Sequence, residues 1–240
     1  MSGSRAPGCR VIELRRYALH PGTRETLIGL FEREFIETQE AVGMRILGTF
    51  RDVDDPNTFV WLRGFADMAA RRDALHAFYG GPVWAEHKRA ANATMIDSDN
   101  VLLLRPLDDA SRLALDPARR APNSSQARKG TATVTICPLE PTGAQSFREL
   151  FEKKIEPALV GAGANVRARF ATEHSANNYP PLPVREDEEV FVWLSLFSSE
   201  QARDDHLSSI DLGPFTREHL AGDPETLRLQ PTSRSLLPDN

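Results

Sequence analysis

The residues best suited to chemistry come early. Glu13, Arg15 and Tyr17 alternate within the β-like run Val11 to Ala18. Alternate side chains of a strand share a face, so a carboxylate, a guanidinium and a phenol stand in a row, with Ile12, Leu14 and Arg16 opposite. Such a row suits one wall of a pocket, with Arg15 holding an anionic group and Tyr17 donating to an oxygen. The plainer reading is a Glu13–Arg15 pair on a solvated strand, which contributes little. His87 is the second candidate, because an imidazole transfers protons near neutrality. Trp84 lies three residues before it on the same helical face, whereas the adjacent Glu86 points about 100° away and forms no dyad. On a later strand Phe59, Trp61, Arg63 and Phe65 share a face. That face is either helix-packed core or the lining of a pocket for a flat apolar ligand.

Other chemistries find no support. His20, His76, His174 and His206 show no metal-ligand spacing, and neither Cys-x-x-Cys nor His-Glu-x-x-His occurs. No glycine-rich phosphate loop or Gly-x-Ser-x-Gly elbow is present, and neither Cys9 nor Cys137 lies in a nucleophile motif. The reading is therefore of no metal and no bound cofactor; a haem would need one histidine, but no motif argues for it. The 240 residues carry 29 Lys and Arg against 34 Asp and Glu, a net charge of −5. That balance argues against a nucleic-acid surface or a polybasic membrane patch. The longest aliphatic run is Val101 to Leu104, far short of the roughly 20 apolar residues of a membrane span. The first ten residues have no apolar core of a secretory signal, so a cytoplasmic protein is expected.

These residues must be positioned by something, and the chain repeats itself. Phe59 to Leu75 matches Phe191 to Leu207 at nine of 17 positions, at an offset of 132. Upstream the offset is 120, with Leu30-Phe31-Glu32 matching Leu150-Phe151-Glu152, and Gly43 and Phe50 matching Gly163 and Phe170. The difference is a 12-residue insertion in the second copy, placed near 174–187, where Asn177, Asn178, Pro180, Pro181 and Pro183 read as loop. Tyr179 within it is expected to plug a pocket as part of a lid over the end of the barrel. Each copy reads β-α-β-β-α-β: strands at Val11 to Ala18, Met44 to Asp52, Thr58 to Phe65 and Asn100 to Arg105, with helices over Thr23 to Val42, from Asp67 to about Phe78, and from Pro82 to about Ala91. This is the split ferredoxin-like unit. The predicted organisation is two tandem domains, 10–107 and 130–237, joined by a charged, proline-containing linker at 108–129. The fold class is α+β, with the two sheets packed as an intrachain pseudo-dimer. In copy two, Thr133, Thr135 and Cys137 replace Glu13, Arg15 and Tyr17, so a single site belongs in copy one. The Glu-His pair recurs as Glu218-His219, with Phe215 in the part of Trp84.

Ile12-Glu13-Leu14-Arg15-Arg16-Tyr17, followed by Pro21-Gly22 and Phe31, resembles the opening of NIPSNAP-family domains. The strand Trp61 to Phe65 running into Ala70-Arg71-Arg72 resembles the family's second block, and Pro82 with Trp84 its third. The resemblance covers about Arg10 to Leu107 and extends more loosely over the second copy. It implies a dimeric α/β-barrel fold, a superfamily that includes cofactor-free monooxygenases, polyketide cyclases, haem-binding enzymes and members without known activity. It also implies a ligand pocket between the sheet and its helices. The resulting expectation is a small-molecule protein, a cofactor-independent cyclase, isomerase or monooxygenase acting on an aromatic or polyketide-like metabolite. His87 and Tyr17 would transfer protons, and Glu13, Arg15, Trp61, Trp84 and Tyr179 would bind substrate. The alternatives are a non-catalytic carrier and a protein-interaction module, with further homo-oligomerisation open.

Overall fold

The computed structural model describes residues 8–120, 128–213 and 218–238. Eight antiparallel strands close into a barrel in the order β1-β3-β2-β8-β5-β7-β6-β4. The first half supplies β1 (Val11–Leu19), β2 (Arg45–Asp52), β3 (Thr58–Phe65) and β4 (Met95–Pro106). The second supplies β5 (Thr131–Pro138), β6 (Asn165–Thr172), β7 (Val190–Phe197) and β8 (Glu225–Pro231). Each half is a four-stranded sheet, and two short seams join them. Phe50 to Asp52 pairs with Leu229 to Pro231, and Leu104 to Pro106 pairs with Phe170 to Thr172. Closure abolishes the sheet edges that each half alone would expose.

Both faces of these strands are covered. Along β1, Ile12 and Leu14 point into the barrel core with Val60 and Leu62 of β3. Tyr17, Phe59, Trp61 and Phe65 point outward beneath the helices. Every residue of β3 is buried, which suits its β-branched and aromatic composition. Leu236 and Leu237 of the C-terminal segment pack into the barrel core, as do Leu113 and Leu115. The stretch expected as a plain linker thus begins as packed structure, with short 3-10 turns at Ala110–Arg112 and Pro117–Arg119.

The helices follow the local signals with one modification. The long helix expected over Thr23 to Val42 is α1 (Arg24–Leu30), a π-turn (Phe31–Phe35) and α2 (Ile36–Ala41) in succession. The second half repeats it as α5 (Ala144–Leu150), a π-turn (Phe151–Ile155) and α6 (Glu156–Gly161). Gly43, at φ 98°, turns the chain from this helix into β2, a left-handed position that favours glycine. Asp67 caps α3 (Met68–Tyr79) by accepting from the Ala70 N–H at 2.8 Å. Pro82 opens α4 (Pro82–Asn92), where its missing N–H costs nothing. The counterpart of α3 in the second half is α7 (Glu200–Ser209). Strand β4 starts well before the expected Asn100 because its polar beginning is held by pairing with β1 as far as Leu19 and Met95. Among the described residues no helix is long and apolar enough to cross a membrane.

Candidate functional site

The register of β1 against β3 builds the site. It sets Glu13 opposite Arg63, Arg15 opposite Trp61 and Tyr17 opposite Phe59. All six side chains lie under the helices, so the solvated-strand reading of Glu13 and Arg15 is overturned: Glu13 is 0% and Arg15 1% exposed. Three guanidiniums converge on one carboxylate. Arg15 Nη1 and Arg63 Nε donate to Glu13 Oε2 at 2.8 and 2.7 Å, and Arg71 Nε of α3 donates to Oε1 at 2.7 Å. Burial alone would raise the Glu13 pKa, but Arg63, Arg15 and Arg71 outweigh it and hold the carboxyl well below its ordinary range.

Each arginine also reaches outward. Arg15 Nε donates to the Tyr17 hydroxyl at 3.1 Å. Arg63 Nη1 donates to Gln39 Oε1 at 3.2 Å, and its guanidinium lies 5.1 Å from the Trp61 ring centroid. Arg71 Nη1 donates to the side-chain carbonyls of Asn177 and Asn178 at 3.1 and 2.7 Å. Those asparagines belong to the inserted loop of the second half.

Beside this cluster lies a cavity of about 370 Å³, walled by Tyr17, Tyr79, Trp84 and Ser98 and roofed by Tyr179 and Leu182. A recess of about 30 Å³ continues beneath it, sharing Tyr17, Tyr79 and Trp84 and reaching Phe31, Gln39 and Trp61. The larger space is within the range of small-molecule sites. The 174–187 segment has no regular structure, as expected, and Tyr179 within it is buried. Its ring stacks on Tyr79 at 5.9 Å and meets His76 edge-on at 4.8 Å. Tyr179 lies at the helix–sheet cavity of the first half, in the cluster beneath the helices and not in the barrel core.

Of the expected site residues, Tyr17, Trp84 and Tyr179 line the cavity and Trp61 lines the recess. Glu13 and Arg15 stand behind the wall. His87 lies elsewhere, its Nε2 3.6 Å from Glu34 Oε2 and its ring against Phe35. His219 contacts Ser146 and Phe147; Phe215 is outside the described residues. Arg63, Arg71, Gln39, Tyr79 and Ser98 were not anticipated as site residues. A charge on the Phe59–Trp61–Phe65 face was the available signal for Arg63, since a buried guanidinium needs a counter-charge.

In the second half a smaller cavity of about 240 Å³ is lined by Leu139 and Phe191 but also by Arg105, Gln145 and Arg148. Thr133, Thr135 and Cys137 are buried in this half but are not among the residues lining that cavity. Among the described residues no group of three or more His, Cys, Asp or Glu could hold a metal ion. The thiols are unsuited to nucleophilic work. Burial pushes Cys9 up to about 12, against the pull of Arg45, and burial pushes Cys137 up to about 12 as well. At pH 8 roughly one thiol in 10⁴ would then be ionised. Neither cysteine should react with a colorimetric disulfide reagent in the folded protein, and both should titrate in denaturant; a fast-reacting native thiol would contradict this burial.

A closed eight-stranded barrel of two β-α-β-β-α-β halves defines the dimeric α/β-barrel class. Residues 12–111 match the NIPSNAP family model. Three solved structures share the fold over nearly the whole chain. A candidate monooxygenase from Fusobacterium nucleatum is 12% identical, with 93% of each chain covered and a TM-score of 0.59. A second candidate monooxygenase, from Lactobacillus acidophilus, is 11% identical over 93% of this chain and 94% of its own, at 0.56. An anthrone oxidase-like protein is 13% identical over 95% and 94%, at 0.55. At these identities the likeness is one of fold alone. No curated protein matches the chain.

Proposed function

We propose that the first half binds a flat small molecule in the cavity beneath the 174–187 loop and acts on it by cofactor-independent acid–base chemistry, of cyclase, isomerase or monooxygenase type. The observation that carries this reading is a cavity of about 370 Å³ with three phenols and Trp84 at its wall and a charged cluster directly behind. Tyr17 has the central role. Burial pushes its phenol above the ordinary value of 10.0, Arg15 opposes that, and Tyr79 adds to it. It therefore stays protonated at neutral pH. Its oxygen accepts from Arg15 Nε, which leaves its own proton to donate to a ligand oxygen. That arrangement favours a reaction in which negative charge develops on such an oxygen, as in enolisation of an aromatic ketone.

Anthrone is a suitable probe, because one of the proteins of similar fold is described as anthrone oxidase-like. The reaction to test is anthrone plus dioxygen giving anthraquinone plus water. Loss of the carbon-bound proton to solvent water leaves an enolate whose oxygen Tyr17 would stabilise. Removing one such donor costs on the order of 10²–10³ in turnover. Tyr17→Phe should lower the rate of anthraquinone formation by that factor while leaving the circular dichroism spectrum and the affinity for anthrone nearly unchanged. A second reading, a carrier without turnover, is favoured by the absence of any side chain lining the described cavity that titrates near neutrality. Saturable anthrone binding without oxygen uptake would select the carrier, and no binding would defeat both.

A further inference from the structure

The buried cluster is out of charge balance. Arg15, Arg63 and Arg71 are each at most 1% exposed, and among the described residues Glu13 is the one carboxylate they contact. Their remaining acceptors among the described residues are neutral: the Tyr17 hydroxyl, the Ser98 carbonyl, the Gln39 amide, the Met44 sulfur and the Asn177 and Asn178 amides. Three positive charges against one negative leave an excess of two in a low-dielectric place, where an uncompensated charge is costly. Donors are also left over. Arg63 Nη2, Arg71 Nη2 and Trp61 Nε1 are buried without a partner, and buried polar groups are normally satisfied. Arg15 Nη2 has the weakest attachment, a carbonyl contact to Ser98 at 3.5 Å.

The surplus adjoins the cavity. Ser98 and Tyr17, both bound by Arg15, line the main space. Gln39, bound by Arg63, and Trp61, stacked on it, line the recess. Among the described residues no acidic side chain lines either space. We infer that this cavity takes an aromatic carboxylate, with its carboxylate turned toward Tyr17, Trp61 Nε1 and Arg15 and its ring among Tyr79, Trp84 and Tyr179. The inference rests on the small-molecule reading above and narrows it to an anionic ligand. The cavity volume suits a fused aromatic ring bearing one small acidic group. The Trp61 indole N–H gains the acceptor it lacks, Arg15 Nη2 exchanges a 3.5 Å carbonyl contact for a charged one, and the ligand supplies part of the missing negative charge.

The test compares 2-naphthoate with its neutral isostere 2-naphthamide on the full chain, by calorimetry and by quenching of tryptophan fluorescence. A charge-assisted hydrogen bond is worth on the order of tenfold or more in affinity over a neutral one. The carboxylate should bind at least on the order of tenfold more tightly than the amide. Arg15→Gln should bring the two within about twofold of each other by weakening the carboxylate alone. If that variant does not fold, the wild-type comparison still decides. Equal affinities, or a preference for the amide, would overturn the anionic ligand and leave the cavity reading in place. Saturable binding of neither probe would overturn both.

Discussion

Glu13→Gln should destabilise the protein by about 3–5 kcal/mol, the cost of stripping one partner from a buried ion cluster. The glutamine is nearly isosteric, so little of the loss would come from packing. It would come from three guanidiniums left facing one another at 2.7–2.8 Å from a neutral amide. Arg71→Gln should cost less, because it leaves the carboxylate paired with Arg15 and Arg63 and reduces the surplus of positive charge. The pH dependence follows from the direction of the Glu13 shift. Its folded pKa lies below the ordinary 4.5, so its contribution is complete at any pH above the unfolded value. That contribution shrinks as acid takes the pH below 4.5 and vanishes below the folded value. Urea titrations of wild type and Glu13→Gln should therefore differ by a constant amount from pH 7 to about pH 5, and converge in stronger acid. A variant as stable as wild type at pH 7 would show that Glu13 does not hold the cluster together.

The two ends of this cluster were unequally visible in the sequence. Alternation along β1 was enough to put Glu13, Arg15 and Tyr17 on one face, because a strand has a fixed period of two. Which face met the helices depended on tertiary packing, and so did the distinction between a solvated pair and a buried one. Arg63 shared a face with Trp61 in the sequence too, yet its partnership with Glu13 required the β1–β3 register, which no local signal sets. Arg71 required the docking of α3 as well. His87 is the converse case. Its spacing from Trp84 suits a shared helix face, but α4 packs so that Trp84 reaches the cavity and His87 meets Phe35 and Glu34. Ser98 and Met95 were hidden because β4 opens with a polar stretch that reads as loop until β1 is there to pair with it. The offset arithmetic located the 174–187 insertion without revealing its target. That target exists because the β4–β6 seam brings the β6–β7 connection beside the helices of the other half.

Deleting residues 176–184 should leave the barrel folded and open the cavity. The cut falls between β6 and β7, whose pairing from Asn165 to Ala171 lies outside it. The remaining connection still spans the strand ends with polar residues. What disappears is the roof. Tyr179, 7% exposed, leaves its stack on Tyr79, and Leu182 leaves the cavity wall. The latch goes as well, since Asn177 and Asn178 accept from Arg71 and Asn178 Nδ2 donates to the Met68 carbonyl at 2.5 Å. Arg71 keeps Glu13, so the ion cluster loses its outer acceptors and not its carboxylate. A ligand held under this loop would lose one apolar face and the water exclusion that strengthens its polar contacts. Its dissociation should quicken by on the order of ten- to a hundredfold, with a smaller change in association, because most affinity differences within one site lie in the off-rate. Stopped-flow release of anthrone from the wild-type and shortened proteins measures this directly, and hydrogen exchange should rise in α3 near Tyr79 while β1 and β3 stay protected. Unchanged release in a folded, shortened protein would mean that the loop covers the cavity without closing it.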